Sequence, residues 1–282
     1  MMSASRITLP LRALALKISA PGIARAAIVI GVLLPLVPLL IWSAAFRWYF
    51  PDVLPTAWSS RAWAYALSPS AQVLPALGYS MLVATAVTLL SILIGIPAGR
   101  ALGLYQFKGK TAVQFLILAP TIVPTIAVAM GIHVAFIHYG LADTLTGVIL
   151  VHLIPVTPYM VLILASVFAT YNLDYEAQAR ALGATPWQAF WHVTLPIIWP
   201  GLLVGSLFAF IISWSQYLLT LLIGGGRVVT LPILLFAFAN SGDYPLTAAL
   251  SIIFIAPAIL FLLFAARHLT GENAALGGFG KL

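Results

Sequence analysis

Six uncharged, strongly apolar stretches run along the chain, at Ile28 to Phe46, Tyr79 to Gly99, Thr111 to Ala142, Thr144 to Leu173, Gly201 to Ile223 and Tyr244 to Ala266. Each is long enough for a hydrocarbon core that needs about 20 helical residues, so the pattern predicts six transmembrane helices and an all-α membrane protein. The third stretch is interrupted by Pro120 and Pro124 and the fourth by Pro155 and Pro158. Prolines at membrane depth need neighbours or water for the freed carbonyls, so these pairs predict two adjacent bent helices, either around a cavity or as structural kinks alone.

Residues 1–25 carry Arg6, Arg12, Lys17 and Arg25 and no acid, and read as a cytoplasmic N-terminal segment. The apolar run after them exceeds the core of a signal peptide, and Trp42, Trp48 and Tyr49 sit at its far end like an interfacial belt, so it reads as an uncleaved span. Residues 26–270 form the predicted transmembrane domain and 271–282 a cytoplasmic tail. Placing the N-terminus inside puts Arg6, Arg12, Lys17, Arg25, Arg100, Lys108, Lys110, Arg180, Arg267 and Lys281 on the inner face. Only Arg47, Arg61 and Arg227 are left outside. That asymmetry is what the positive-inside rule expects, and it places the interval 172–196 in the cytoplasm.

That interval is the one long polar-studded segment in the chain. Asn172 or Asp174 can cap a helix whose first turn carries Asp174 and Glu176, where carboxylates favour the positive helix end, and Gly183 can close it. Thr185 followed by Pro186 reads as an N-cap with proline at the first helical position. The second helix then presents Trp187, Phe190, Trp191 and Thr194 on one side and ends at Leu195-Pro196. Two short helices meeting at Gly183-Ala184 suit a segment lying along a membrane surface and offering a knob to a soluble partner.

Composition narrows the classes. The 282 residues are 62% hydrophobic and only 7% charged, with a mean hydropathy of +1.09; a soluble domain carries about 25% charged residues. The net charge of +7 is not clustered on a polar fold, which argues against nucleic acid. No cysteine is present, which excludes disulfides and thiolate metal sites. Gly103 to Thr111 ends in Gly-Lys-Thr, but the glycines are wrongly spaced and no strand precedes them, so it is not a phosphate-binding loop. Energy therefore has to come from another polypeptide or from an ion gradient. His133 and His152 read as hydrogen-bonded packing residues, since neither has a second ligand at useful spacing. No metal site and no catalytic residue is expected. Gly95 and Gly99 make a G-x-x-x-G, which fits close helix packing and also arises by chance. Gln216, beside Trp214, Ser215 and Tyr217, is a polar residue deep in the fifth span that either lines a pathway or joins helices.

The interval 172–196 resembles the EAA loop of the membrane subunits of binding-protein-dependent ABC importers. In that loop a Glu-Ala-Ala triplet is followed by a glycine and then by an aliphatic residue and Leu-Pro. Gly183, Val193, Leu195 and Pro196 fall at the family spacing. Aligned on the glycine, Ala177 stands at the acidic position, Gln178 and Ala179 at the alanines, and Glu176 one residue early. The resemblance implies a type I importer permease in the cell inner membrane with both termini cytoplasmic. It further implies a second permease subunit, similar or identical, two ATPase subunits that carry ATP and Mg, an extracytoplasmic solute-binding protein, and surrounding membrane lipid. The chain itself would need no cofactor and would not be an enzyme.

On this resemblance Asp174, Glu176, Ala177, Ala179, Leu182 and Gly183 couple to the ATPase, and Val193, Leu195 and Pro196 close the loop. Their movement passes to spans four and five as alternating access. Trp214, Ser215, Gln216 and Tyr217 belong to the pathway. Gly225, Arg227 and Thr230, in a glycine-rich turn followed by Thr-Leu-Pro, contact the binding protein. The stretch from Ser213 onward looks more like the branch that carries polyamines, iron complexes, thiamine and phosphonates than the maltose-type sugar branch. The competing classes are a sugar-type permease, an ion-coupled secondary transporter and an intramembrane enzyme. A secondary transporter needs an intramembrane carboxylate, yet Asp52, Asp143, Asp174, Glu176, Asp243 and Glu272 all fall outside the span cores. An enzyme needs a nucleophile and base at working spacing, and none stands out.

Overall fold

The computed structural model describes residues 27–31, 33–49 and 51–276. The expected cytoplasmic segment 1–25 and the end of the tail at 277–282, with Lys281, lie outside the described residues. An apolar stretch, Ala27–Ala44, ends in helix α1 (Leu36–Ala44). Strands β1 (Ala45–Arg47) and β2 (Ala57–Trp58) then pair antiparallel, and α2 (Arg61–Ala66) and a 3-10 turn lead into the long helix α3 (Val73–Leu104). Helices α4 (Lys110–Ile122), α5 (Thr125–His138) and α6 (Leu145–Ala169) follow. The short α7 (Asp174–Ala181) and α8 (Pro186–Ala189), and a π-turn at Phe190–Thr194, precede α9 (Leu195–Trp214). The chain finishes with α10 (Leu218–Gly224), α11 (Leu231–Ser241) and α12 (Tyr244–Leu276).

Among the described residues, five helical stretches are long and apolar enough to cross a bilayer, and a bent pair makes the sixth if counted as one crossing. The all-α membrane fold is therefore as the pattern predicts, apart from the two short strands.

The third span is bent, as its prolines predict, and sharply: α4 and α5 meet at 101°. Val123 and Pro124 are both extended at this corner (ψ 135° and 125°). A residue before proline is pushed out of the helical region, and Pro124 has no N–H to continue the ladder. Two other expectations about the spans are corrected. The fourth is not broken at all, since α6 runs through Pro155 and Pro158. Pro120 and Pro155 do share a small cavity, of about 20 Å³.

The fifth starts earlier than hydropathy marks it, because one helical stretch covers Pro186–Trp214 and passes through Leu195-Pro196. Proline has no N–H for the usual bond and its ring crowds the carbonyl four residues back. The π-turn at Phe190–Thr194 widens the helix just before Pro196, and the helix continues instead of ending.

Helix α6 is the centre of the packing. Val148, Val151, Val156, Met160, Leu164 and Phe168 along it are fully buried against α3, α9 and α10. In lipid there is little hydrophobic drive between helices, so close van der Waals approach must hold them together. Glycines supply it. A Cβ on Gly95 would collide with Met160, one on Gly99 would lie 2.6 Å from the Leu164 Cβ, and one on Gly103 would lie 2.6 Å from the Phe168 Cβ. Gly95 and Gly99 therefore form a packing motif, extended one turn by Gly103. From the other side, Gly201 and Gly205 on α9 take Val167 and Met160 in the same way.

A second cluster joins α2, the start of α3, the end of α9, α11 and the start of α12 through Ala66, Val73, Phe210, Trp214, Leu231 and Leu250. It closes the end of the bundle opposite to α7.

Candidate functional site

Asp174–Ala181 forms a helix because its first turn carries Asp174 and Glu176 and its last turn Arg180, each sign at the matching end of the macrodipole. Asn172 accepts the Asp174 N–H at 2.8 Å, ahead of the helix proper. Gly183, at φ +93°, closes it. Its N–H donates to the Arg180 carbonyl (3.0 Å) and the Ala184 N–H to the Ala179 carbonyl (3.0 Å), which is the Schellman arrangement. Thr185 then caps α8 in a reciprocal box: its hydroxyl accepts from the Gln188 N–H (3.3 Å) and its own N–H donates to the Gln188 Oε1 (2.8 Å). The result is a helical hairpin with a fixed turn.

The outer surface of this hairpin carries an apolar patch. Leu182 is 91% exposed and Trp187 69% exposed, with Trp191 stacked edge-on against Trp187 at 5.4 Å. Asp174, Ala177 and Gly183 are exposed as well, and Ala179 is half-buried. Thr194 turns the other way and is buried, so it does not share the aromatic face expected of it.

Glu176 also turns inward. It is 6% exposed, and Arg100 of α3 meets it with two parallel hydrogen bonds, Nη1 to Oε1 at 2.7 Å and Nη2 to Oε2 at 2.9 Å. The hydroxyls of Thr194 (2.8 Å) and Tyr171 (3.0 Å) donate to the same Oε1, and Arg180 reaches Oε2 at 3.5 Å. The Arg100 guanidinium holds the Glu176 carboxyl at about 2, against the opposing push of burial and with help from Thr194 and Tyr171. A cavity of about 310 Å³ opens beside this cluster, lined by Arg100, Arg180, Pro186 and Phe190 among others. The hub thus ties α3, the end of α6, α7 and the start of the fifth span together. Arg100 was not singled out by the sequence as a site residue. The available signal was a lone arginine at the end of an apolar span and an acid on the inward face of a short helix.

Deeper in the bundle, the fifth span stops at Trp214 and resumes as α10 at Leu218, leaving Ser215, Gln216 and Tyr217 outside helix. Gln216 and Tyr217 are half-buried and Ser215 is exposed at this break. Trp214 is not with them. It is buried between Phe210 and Phe254, with its indole N–H donating to the Phe254 carbonyl at 3.1 Å, so its side chain packs inside the chain. His152 of α6 spans the break. One ring nitrogen meets the Ser213 hydroxyl at 2.9 Å before it and the other meets the Thr220 hydroxyl at 2.8 Å after it. Thr220 in turn donates to the Gln216 carbonyl at 2.9 Å. His152 is the hydrogen-bonded packing residue expected, placed where it fixes the ends of a discontinuous helix.

At the opposite end, Gly225 has φ +52° and lies so close to the Asp143 carboxylate that any Cβ would collide with it. Arg227 is exposed. Thr230, just before α11, is 3% exposed, so its side chain faces the interior.

The family described as "Binding-protein-dependent transport system inner membrane component" matches residues 91–270, from the middle of α3 into α12. The chain belongs to that family. It is 31% identical to the molybdenum transport system permease protein ModB of Mycobacterium tuberculosis over 72% of this chain and 81% of ModB. It is 28% identical to PhnV of Salmonella typhimurium, named for a 2-aminoethylphosphonate transport system, over 87% of this chain and 94% of PhnV. It is 26% identical to the putrescine transport system permease protein PotI of Escherichia coli over 77% of this chain and 79% of PotI.

Among solved structures, a bacterial ABC transporter involved in alginate import superposes with a TM-score of 0.68 at 15% identity, over 88% of this chain and 94% of that one. A further structure of an alginate transporter, in complex with an alginate pentasaccharide-bound periplasmic protein, gives 0.59 at 17% identity. At these identities the likeness is one of fold. The permease is thus a multi-pass membrane component of an ABC importer of the binding-protein-dependent type.

Proposed function

We propose that this permease forms half of an inner-membrane translocation pathway and couples it, through the α7–α8 hairpin, to separate ATPase subunits that bind ATP and Mg. The observation that carries this reading is the hairpin itself. It exposes Leu182, Trp187 and Trp191 on a turn fixed by Gly183 and Thr185, and anchors its inner face through Glu176 to α3. An exposed apolar patch on a rigid support is a docking surface, and the double anchoring lets a push on α7 reach α3 and the fifth span together. In this reading Asp174, Ala177, Ala179, Leu182 and Gly183 face the ATPase, while Glu176 works from behind as a strut. Val193, Leu195 and Pro196 belong to the helix that carries the movement inward. Ser215, Gln216 and Tyr217 line the pathway at the helix break. A second permease, similar or identical, supplies the other half, and an extracytoplasmic binding protein docks near Gly225 and Arg227.

The substrate we propose is a small polar solute of the phosphonate and polyamine group, supported by the names of PhnV and PotI and by a helix break whose polar side chains are uncharged. Selection then rests on the binding protein more than on this chain.

Co-purification from mild detergent tests the assembly. A separate ATPase should accompany the wild-type chain and be lost with Leu182→Asp, while a chain that purifies without an ATPase overturns the reading. Uptake of labelled 2-aminoethylphosphonate, putrescine, molybdate and a disaccharide tests the substrate. Uptake of the disaccharide alone would sink the proposed class.

A further inference from the structure

Helices α1 and α12 pack side by side, and two cavities lie along their seam. The upper one, of about 350 Å³, is lined by Trp42, Trp48 and Tyr49 on one side and by Arg61, Asp243 and Tyr244 on the other. Trp42 packs on Trp48 at 4.7 Å and on Tyr244 at 5.4 Å, so the walls are aromatic. The lower one, of about 180 Å³, lies between Leu36 and Leu40 of α1 and Ile252, Ile255 and Ile259 of α12, and is apolar throughout. Tyr244 and Ile252 are separated by about two turns, or roughly 12 Å, on the same helix. A polar, aromatic mouth therefore sits above an apolar groove on one helix pair, at the membrane face away from the Arg100–Glu176 hub.

The polar groups in the mouth are only partly used. Arg61 reaches both Asp243 oxygens through Nη2 alone, at 3.0 and 2.8 Å, and its side chain is 52% exposed. Asp243 Oδ1 also accepts the Leu246 N–H at 3.1 Å. A guanidinium has five donors and a carboxylate about four acceptor positions, so donors remain on Arg61 and an acceptor position on Asp243 Oδ2. The pair offers one anion-binding end and one cation-binding end a few ångströms apart. An isolated anion would be repelled by Asp243 and an isolated cation by Arg61. A zwitterion with phosphate and ammonium on adjacent carbons satisfies both, and aromatic walls suit the boundary between headgroup and acyl chain.

We propose that this seam is a specific site for an amine-bearing zwitterionic phospholipid of the outer leaflet, with phosphate on Arg61, ammonium on Asp243 and one acyl chain in the apolar groove. A primary ammonium has N–H groups to give to the carboxylate, whereas a quaternary one has none, so the site distinguishes ethanolamine from choline headgroups. Occupancy joins the first span to the last by a ligand that touches both.

Native mass spectrometry of the complete chain in mild detergent tests this, with phosphatidylethanolamine, phosphatidylcholine and phosphatidylglycerol of the same acyl composition as probes. The expected result is a retained phosphatidylethanolamine adduct favoured by at least about fivefold over the other two, close to 1 kcal/mol. It should be lost in Arg61→Gln. Ile255→Trp fills the groove and leaves the ion pair intact, and should also abolish the adduct, so an Arg61 variant that fails to fold does not decide the matter. Equal retention of all three lipids would mean bulk lipid contact only and overturns the site. A preference for phosphatidylglycerol overturns the zwitterion, and a preference that survives Ile255→Trp places the lipid elsewhere.

Discussion

Arg100 and Glu176 are 76 residues apart in sequence and meet in a bidentate pair, with nitrogen to oxygen distances of 2.7 and 2.9 Å. This contact fixes the α7–α8 hairpin to the membrane bundle. Arg100 also lies 5.9 Å from the centre of the Phe168 ring, so its position is set from two sides. A lysine could offer Glu176 a charge but not two parallel donors.

Removing the arginine leaves a carboxylate in a site that is almost closed to water. Arg100→Ala should destabilise the chain by about 3 kcal/mol, the lower end of the cost of orphaning a buried charge because Arg100 itself is partly exposed. Thermal unfolding of the detergent-solubilised protein measures it. Glu176→Gln in the same background should recover part of the loss, and an additive result would show that the two residues do not act as a pair.

The depressed Glu176 carboxyl gives a pH dependence of known sign. Folding lowers its value from 4.5 to about 2, so its stabilisation is complete above 4.5 and is lost as pH falls through 2. The stability gap between wild type and Glu176→Gln should therefore be constant from pH 7 to about 5 and shrink below 4.5. A gap that widens on acidification would contradict the pairing.

Gly183 is constrained by its backbone alone, since a Cβ there would meet nothing within 4 Å. At φ +93° a branched residue is strained by roughly 1–3 kcal/mol, enough to unwind the turn between α7 and α8. Gly183→Val should leave insertion and expression intact and lower binding-protein-stimulated ATP hydrolysis of the assembled transporter. Gly183→Asn, which tolerates positive φ better, should lie between the two.

His152→Leu removes the bridge across the break at Ser215–Tyr217 and strands the Ser213 hydroxyl in the core. A cost of about 2 kcal/mol is expected for the unsatisfied group. His152→Leu with Ser213→Ala should be milder than His152→Leu alone. Thermal melts of the three proteins check the order.

Much of the molecule is legible in the sequence. Charge-free stretches of about 20 residues locate most of the spans because the bilayer core has a fixed thickness. Thr185-Pro186, Gly183 and the acids at 174 and 176 mark the hairpin because caps, positive φ and macrodipole interactions are local chemistry, settled within a turn of the residue concerned. The family follows from the same local spacing.

What the sequence could not decide depends on contacts between distant parts. Proline marks where a helix is strained, not what the strain becomes, so the size of the 101° corner at Val123-Pro124, the unbroken α6 and the continuous helix through Pro196 were not legible. Glu176 reads as a surface acid until Arg100, Thr194 and Tyr171 surround it. That Trp214 and Thr230 are buried is likewise not legible until the packing of the helices around them is known. His152, 61 and 68 residues from its two partners, is only a polar residue in an apolar run until the fold brings Ser213 and Thr220 to its ring. Local chemistry determined the elements and their order. Which polar groups pair, and therefore which face inward to hold and which outward to dock, was decided by tertiary packing, because a buried polar group must find its partner wherever in the chain that partner lies.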